Sequence, residues 1–274
     1  ANAAALTEEL LHGTPPADLV VWFEIPRNID CDGPEPAQLG FVAHARAVKA
    51  PLLFNCVDFS AGAQDGERST VRNTVLMLDG QGRPANRYHK QILFPFCEYI
   101  PFEREAPWLR RLAPAVSIYR PGREAKVFDL GRGRGVIPLL CYEAMFGDPI
   151  RRGIAKGGNV LINLTDDAWF GNSDASEFHL AFQPFRVVEY RTPLVRANNA
   201  GISAFIAATG EIIPGTKTGL FQRMALRREL FIPSERTFYY RFGDLFLYGL
   251  IVLCGVDLAR RRLWTDRDGQ DDYS

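Results

Sequence analysis

A chain of 274 residues in which 47% of side chains are hydrophobic can build the core of one large α/β domain or two small ones. Its 32 basic and 32 acidic side chains cancel, and no basic stripe interleaves with aromatics, which excludes a nucleic-acid partner. The five cysteines, at positions 31, 56, 97, 141 and 254, show neither a zinc-like spacing nor a tight pairing pattern, which argues against a metal site and disfavours a disulfide scaffold.

The first predicted strand, 19–23, lies in Asp18-Leu-Val-Val-Trp-Phe-Glu24 and ends on a carboxylate just before Ile25-Pro26. Strand ends are where α/β enzymes place catalytic groups, so Glu24 is a candidate base as well as a plain solvated carboxylate. A helix-like stretch over 36–50 and strands over 52–57 and 74–78 follow, then the turn at Gly80-Gln-Gly82. Beyond it, Arg87-Tyr-His-Lys90 runs into Gln-Ile-Leu-Phe-Pro95-Phe-Cys-Glu98-Tyr-Ile-Pro101, where Lys90 is a candidate cation or an ordinary surface amine.

The turn Gly131-Arg-Gly-Arg-Gly135 feeds the apolar strand 136–140, and at its end stands Cys141, followed at once by Tyr142-Glu143. A buried strand that stops at a cysteine presents the thiol from the end of the sheet, although a lone cysteine is more often a small buried hydrophobe. Helix 148–156, strand 160–163, helix 176–191 and strands 194–197 and 202–207 complete an alternation of β and α that predicts a mixed sheet layered with helices. Neither glycine-rich turn leads into the helix of a phosphate-binding loop, so no nucleotide site is expected.

The last segment differs in kind. Leu245-Phe-Leu-Tyr-Gly-Leu-Ile-Val-Leu-Cys-Gly-Val256 is uninterruptedly apolar but short of the about 20 residues that a bilayer span wants, and Asp244 and Asp257 bound it. Arg260-Arg-Arg262 directly after it reads as a positive-inside stop. The expectation is a C-terminal transmembrane-like helix over 241–262, a polar tail over 263–274, and a catalytic domain over 1–240.

Glu24, Lys90 and Cys141, in that order and each at a predicted strand end, resemble the triad of the nitrilase superfamily. Tyr88-His-Lys90, Pro95-Phe-Cys-Glu98-Tyr-Ile-Pro101, Cys141-Tyr-Glu143, Asp166-Asp-Ala-Trp-Phe-Gly171 and Arg196-Ala-Asn-Asn-Ala-Gly-Ile-Ser203 resemble, within it, the apolipoprotein N-acyltransferases of bacterial envelopes. The resemblance covers nearly the whole chain. It implies a four-layer αββα sandwich and no cofactor, with Glu24 as base, Lys90 as cation for thiolate and oxyanion, and Cys141 as nucleophile. It further implies Glu98 as a partner near Lys90, and Tyr142 and Glu143 as groups that position Cys141.

The partners implied are a phospholipid acyl donor, a lipoprotein acceptor and the membrane, with the catalytic domain on the periplasmic side of the inner membrane. Trp169 and Phe170 are then candidates for the lipid entrance, or else core aromatics. Two departures stand out. The family's Trp-Pro-Glu reads Trp22-Phe23-Glu24 here, and its Phe-Gly-Glu reads Phe96-Cys97-Glu98. The family also carries membrane helices ahead of this region, and the sequence opens at Ala1, so a fragment of a longer chain is expected. A C–N hydrolase releasing its acyl group to water, and a catalytically silent binding domain, are the alternatives.

Overall fold

The structure, a computed structural model, describes residues 3–24, 29–34, 40–59, 71–103, 105–114, 116 and 119–268, with side chains described to residue 261. The chain divides into two compact units, Ala1–Pro233 and Ser234–Ser274.

The first unit is built on two sheets. In one, β1 (Val20–Val21) lies parallel to β2 (Leu52–Asp58), which continues antiparallel into β3 (Arg72–Leu78) and β4 (Pro84–His89). In the other, β6 (Gly135–Leu140), β7 (Val160–Asp166) and β8 (Leu194–Asn199) run parallel, with β5 (Phe128–Asp129) and β9 (Ala204–Ile206) antiparallel at the edges. Both glycine-rich turns are the hairpin connections their composition predicts, joining β3 to β4 and β5 to β6.

Alternation along the strands sorts the layers. On β2, Leu52, Phe54 and Cys56 face a core shared with α1 (Ala3–Leu11) and α2 (Phe41–Val48), while Leu53 faces the second sheet. There it joins Val75, Met77 and Tyr88 against Phe128, Val136, Leu140, Val160, Ile162 and Leu164, so the sheets pack face to face. After the four-residue α3 (Leu109–Leu112), α4 (Gly147–Ala155) and α5 (Ala175–Tyr190) are the long helices that follow β6 and β7 in the chain. Gly153 of α4 sits so near Ile137 that a Cβ there would lie 2.8 Å from its side chain. The helix–sheet–sheet–helix order is the expected sandwich.

β4 and β5 were not anticipated. β4 reads PANRYH, and only Tyr88 of it is buried, so an edge strand with this polarity carries no apolar alternation to read. Of the expected helix 36–50, Phe41–Val48 is helical and 36–39 lie outside the described residues, as do Ile25 and Pro26.

The reading of the cysteines needs correction, because Cys31 and Cys56 form a disulfide across 25 residues. The pairing is tertiary: Cys31 N donates to Val57 O (2.9 Å) and Val57 N to Ile29 O (2.7 Å), which lays residues 29–31 along β2. Spacing along the chain holds no trace of that contact. Reducing the bond should lower unfolding stability by about 3 kcal/mol, the loop-closure expectation for a ring of roughly this size, and thermal melts with and without reductant measure it.

In the second unit, Thr237 Oγ1 accepts from Tyr240 N (3.0 Å) and caps α6 (Phe238–Phe242), and α7 (Leu245–Asp268) follows. The expected helix forms, but no helix among the described residues is long and apolar enough to cross a membrane. The expectation of a span is therefore corrected. From Leu245 to Val256 the apolar stretch rises roughly 18 Å at 1.5 Å per residue, against a hydrocarbon core about 30 Å thick, before Asp257 and the arginines interrupt it.

Candidate active site

Cys141 ends β6 with φ at 49°, in the left-handed region that a non-glycine residue enters at a cost of about 1 to 3 kcal/mol, and the chain turns there into a 3₁₀ helix, Cys141–Met145. Glu143 holds the turn. Its Oε2 accepts from Leu140 N (2.8 Å), and its Oε1 accepts from Tyr88 OH (2.8 Å), Gln91 N (2.5 Å) and Ile92 N (3.1 Å). One fully buried carboxylate thus ties the end of β6 to the end of β4.

Lys90 follows β4 directly, buried, with Nζ 2.8 Å from Glu98 Oε2. Glu98 Oε2 also accepts from Phe94 N (2.8 Å). Asn73 of β3 bridges the carboxylates, donating from Nδ2 to Glu24 Oε1 (3.1 Å) and Glu98 Oε1 (3.0 Å). The structure therefore brings Glu24, Lys90, Glu98 and Cys141 together from both sheets, near enough that each charge shifts its neighbours' ionisation.

Burial pushes the Cys141 thiol up, Glu24 pushes it further, and Lys90 opposes both, leaving it at about 12. Burial likewise raises Glu24, against the pull of Lys90 and Asn73. On Lys90, burial works against the charge, but Cys141, Glu98, Glu24 and Glu143 outweigh it and hold the ammonium above its ordinary value. The resting site is a protonated thiol beside a carboxylate made unusually basic, with a permanent cation between acids.

The Carbon-nitrogen hydrolase family model matches residues 11–220. The chain belongs to this family. Among its relatives, the apolipoprotein N-acyltransferase of Geobacter metallireducens is 34% identical over 244 residues, covering 89% of this chain and 46% of that protein. The protein of the same name from Pasteurella multocida is 28% identical, covering 85% of this chain and 46% of its own length. The chain thus spans about half the length of these curated relatives.

Solved structures share the fold. An amidase from Nesterenkonia sp. AN1 superposes with a TM-score of 0.52 at 20% identity, over 80% of this chain and 77% of the amidase. In that mutant amidase, the acetamide moiety of fluoroacetamide is added covalently at the active-site cysteine. The carbon-nitrogen hydrolase of Helicobacter pylori G27 gives 0.53 at 18% identity, over 79% of this chain and 78% of that one.

Around the site of this carbon-nitrogen hydrolase family chain, Tyr142 packs edge-on between Phe94 and Phe146, with ring centroids 5.0 and 4.8 Å away. Trp169 is 86% exposed and Phe170 39%, so they are not core aromatics.

Sequence reasoning missed a buried polar network behind the cysteine. Asp167, at the end of β7, accepts from Arg196 Nη2 (2.7 Å), Ser176 Oγ (2.6 Å) and Asn198 Nδ2 (2.6 Å), and contacts His179 Nδ1 (2.9 Å). Burial raises its pKa, but His179 and Arg196 reverse that and leave the carboxyl far below the usual range. A signal was present: Arg196 lies within an apolar strand run and Asp166-Asp167 close another, and buried charges have to pair.

Proposed function

We propose that this chain is the catalytic part of an acyltransferase in which Cys141 carries a fatty acyl group as a thioester between a phospholipid donor and the N-terminal amine of a diacylglyceryl-cysteine lipoprotein. The observation that carries this reading is the meeting of Cys141, at its strained turn, with Lys90 and Glu24 in one buried pocket of charge. Glu24 takes the thiol proton as Sγ attacks the ester carbonyl. Lys90 stabilises first the thiolate and then the oxyanion, an effect typically of a few kcal/mol. As the intermediate collapses, the ester C–O bond breaks, Glu24 returns its proton to the departing alkoxide, and the lysophospholipid leaves. The lipoprotein amine then attacks the thioester carbonyl and Glu24 accepts the amine proton; the C–S bond breaks as the amide forms, and Glu24 passes the proton to Sγ, which restores the thiol. Ping-pong kinetics follow from the shared intermediate.

The name borne by the relatives favours amine over water as acceptor. Trp169, standing out into solvent with Phe170 beside it, supports a lipid donor, since an acyl chain in a bilayer has to be met by exposed apolar groups. The Cys31–Cys56 disulfide supports the periplasmic face of the inner membrane, because such bonds persist in oxidising compartments and are rare in the cytosol.

Replacing Trp169 and Phe170 together with Ser tests this reading. If both rings meet acyl chains, the change removes about 2 to 4 kcal/mol of apolar contact at roughly 25 cal/mol per Å². Consumption of a phospholipid donor should fall at least tenfold, while acetylation of Cys141 by p-nitrophenyl acetate and the melting temperature stay as they were. Equal loss on both donors would return a C–N hydrolase acting on small amides to first place.

A further inference from the structure

The carbonyl of Cys141 is held from behind. Asn163, fully buried on β7, donates from Nδ2 to Cys141 O (3.2 Å) and to Leu139 O (3.4 Å). Its own Oδ1 accepts from Gln183 Nε2 (2.7 Å) on α5 and from Arg196 Nη1 (3.0 Å) on β8. A guanidinium has donors only, so the amide oxygen has to face Arg196 and the NH₂ has to face the cysteine. The amide cannot flip.

Arg196 is fixed in turn, through Nε to Ile202 O (2.9 Å) and through Nη2 to Asp167 Oδ2 (2.7 Å). Asp167 is also tied to β7 itself, since Thr165 Oγ1 donates to Asp167 Oδ1 (3.4 Å).

One member of this set is costly. Gln183 is fully buried, yet its Oε1 finds no hydrogen-bond partner among the described residues. A leucine would fill the same place without an orphaned acceptor, so packing alone gives no reason for the amide. Its Nε2 does one thing, which is to pin Asn163.

We propose that Asn163 is a positioning residue for Cys141: clamped by Gln183 and Arg196, its amide holds the Cys141 carbonyl and so sets the direction in which Sγ leaves the left-handed turn. The proposal rests on the reading of Cys141 as nucleophile. It concerns aim and not charge, so it acts on the step in which Sγ bonds to the acyl carbon and the leaving oxygen departs.

Two variants test it, each read by p-nitrophenolate release as p-nitrophenyl acetate transfers its acetyl group to the cysteine, and by thermal melting. Asn163→Asp keeps the acceptor for Gln183 and Arg196 but puts an oxygen against the Cys141 carbonyl. It should slow acetylation about 100-fold, the penalty typical of an angstrom-scale misplacement, with KM within about twofold of the parent. Gln183→Leu removes one clamp and the orphaned oxygen together. Its melting temperature should hold or rise while acetylation slows roughly tenfold, a smaller misplacement of the same kind.

A purely structural role predicts the opposite pattern, rate and melting temperature falling together in Gln183→Leu, and that result would overturn the proposal. So would a parent-like acetylation rate in either folded variant. Cys141→Ala runs alongside: p-nitrophenolate burst release that survives there removes the nucleophile reading itself, whereas a dead Cys141→Ala beside an undisturbed Asn163→Asp removes only the positioning role.

Discussion

Cys141→Ala should abolish acyl transfer and leave the fold intact. In the proposed mechanism the Cys141 sulfur is the atom that bonds to the acyl carbon, and neither Glu24 nor Lys90 can take its place as a nucleophile at this position. The structural change is small, the loss of one sulfur atom from a side chain at the turn, so packing changes little. Backbone strain at φ 49° is kept by alanine and relieved by glycine. Cys141→Gly should therefore be equally dead yet more stable than Cys141→Ala by about 1 kcal/mol, the left-handed penalty that glycine does not incur. A melting temperature for the glycine variant below that of the alanine variant would show that the turn stores no strain.

Lys90→Met carries the next largest effect. Acyl-enzyme formation should fall about 10²- to 10³-fold through loss of oxyanion stabilisation alone. Stability should fall as well, by about 3 to 5 kcal/mol, because Glu98 loses the ammonium 2.8 Å away and Glu24 and Glu143 lose the cation that offsets their burial. The sign with pH is definite. Burial already raises Glu24 and Glu143, and without Lys90 both rise further, so the folded state takes up protons that the unfolded state does not. The stability deficit of Lys90→Met should accordingly be larger at pH 8 than at pH 5.5.

Activity follows the same logic in the parent protein. Glu24 accepts a proton only when ionised, and its folded pKa lies above the ordinary 4.5, so acylation should rise with pH through a limb displaced upward from the usual carboxylate range. Lys90 is held above its ordinary 10.5, so its charge is not lost anywhere near neutrality and imposes no alkaline fall there. In Lys90→Met the acid limb should move to higher pH. Stopped-flow acetylation rates across pH 4 to 9 measure both limbs.

Much of this was readable from the chain. The strands that carry the central parallel sheet announced themselves as apolar runs of Val, Ile and Leu: 136–140 became Gly135–Leu140 and 160–163 became Val160–Asp166. Helix 176–191 became Ala175–Tyr190, with Leu180, Val187 and Tyr190 on its buried face. Glu24 and Cys141 were marked by the apolar runs they follow, whereas Lys90 was picked out through the resemblance, because the polar strand ahead of it carries no apolar alternation. What stayed hidden depended on contacts with no local period. β1 shrank to Val20–Val21, the two residues in register with Leu52 and Leu53 of β2. The disulfide joins a loop to a strand end, and Gln183 and His179 enter the polar network from a helix whose period says only that they face inward. Asn163 illustrates the limit most sharply, for within the run Val-Leu-Ile-Asn-Leu nothing marks the amide as reaching back to Cys141.

The central claim is that Cys141 carries an acyl group on its way from lipid to amine, and mass spectrometry of the protein after exposure to phospholipid vesicles tests it most directly. The account predicts that the peptide holding Cys141 gains the mass of a fatty acyl chain, that neutral hydroxylamine removes it, and that a diacylglyceryl-cysteine peptide discharges it with N-acylation of that peptide. An unmodified Cys141 in protein that turns over small amides, with no acyl mass at any time after lipid addition, would contradict the account.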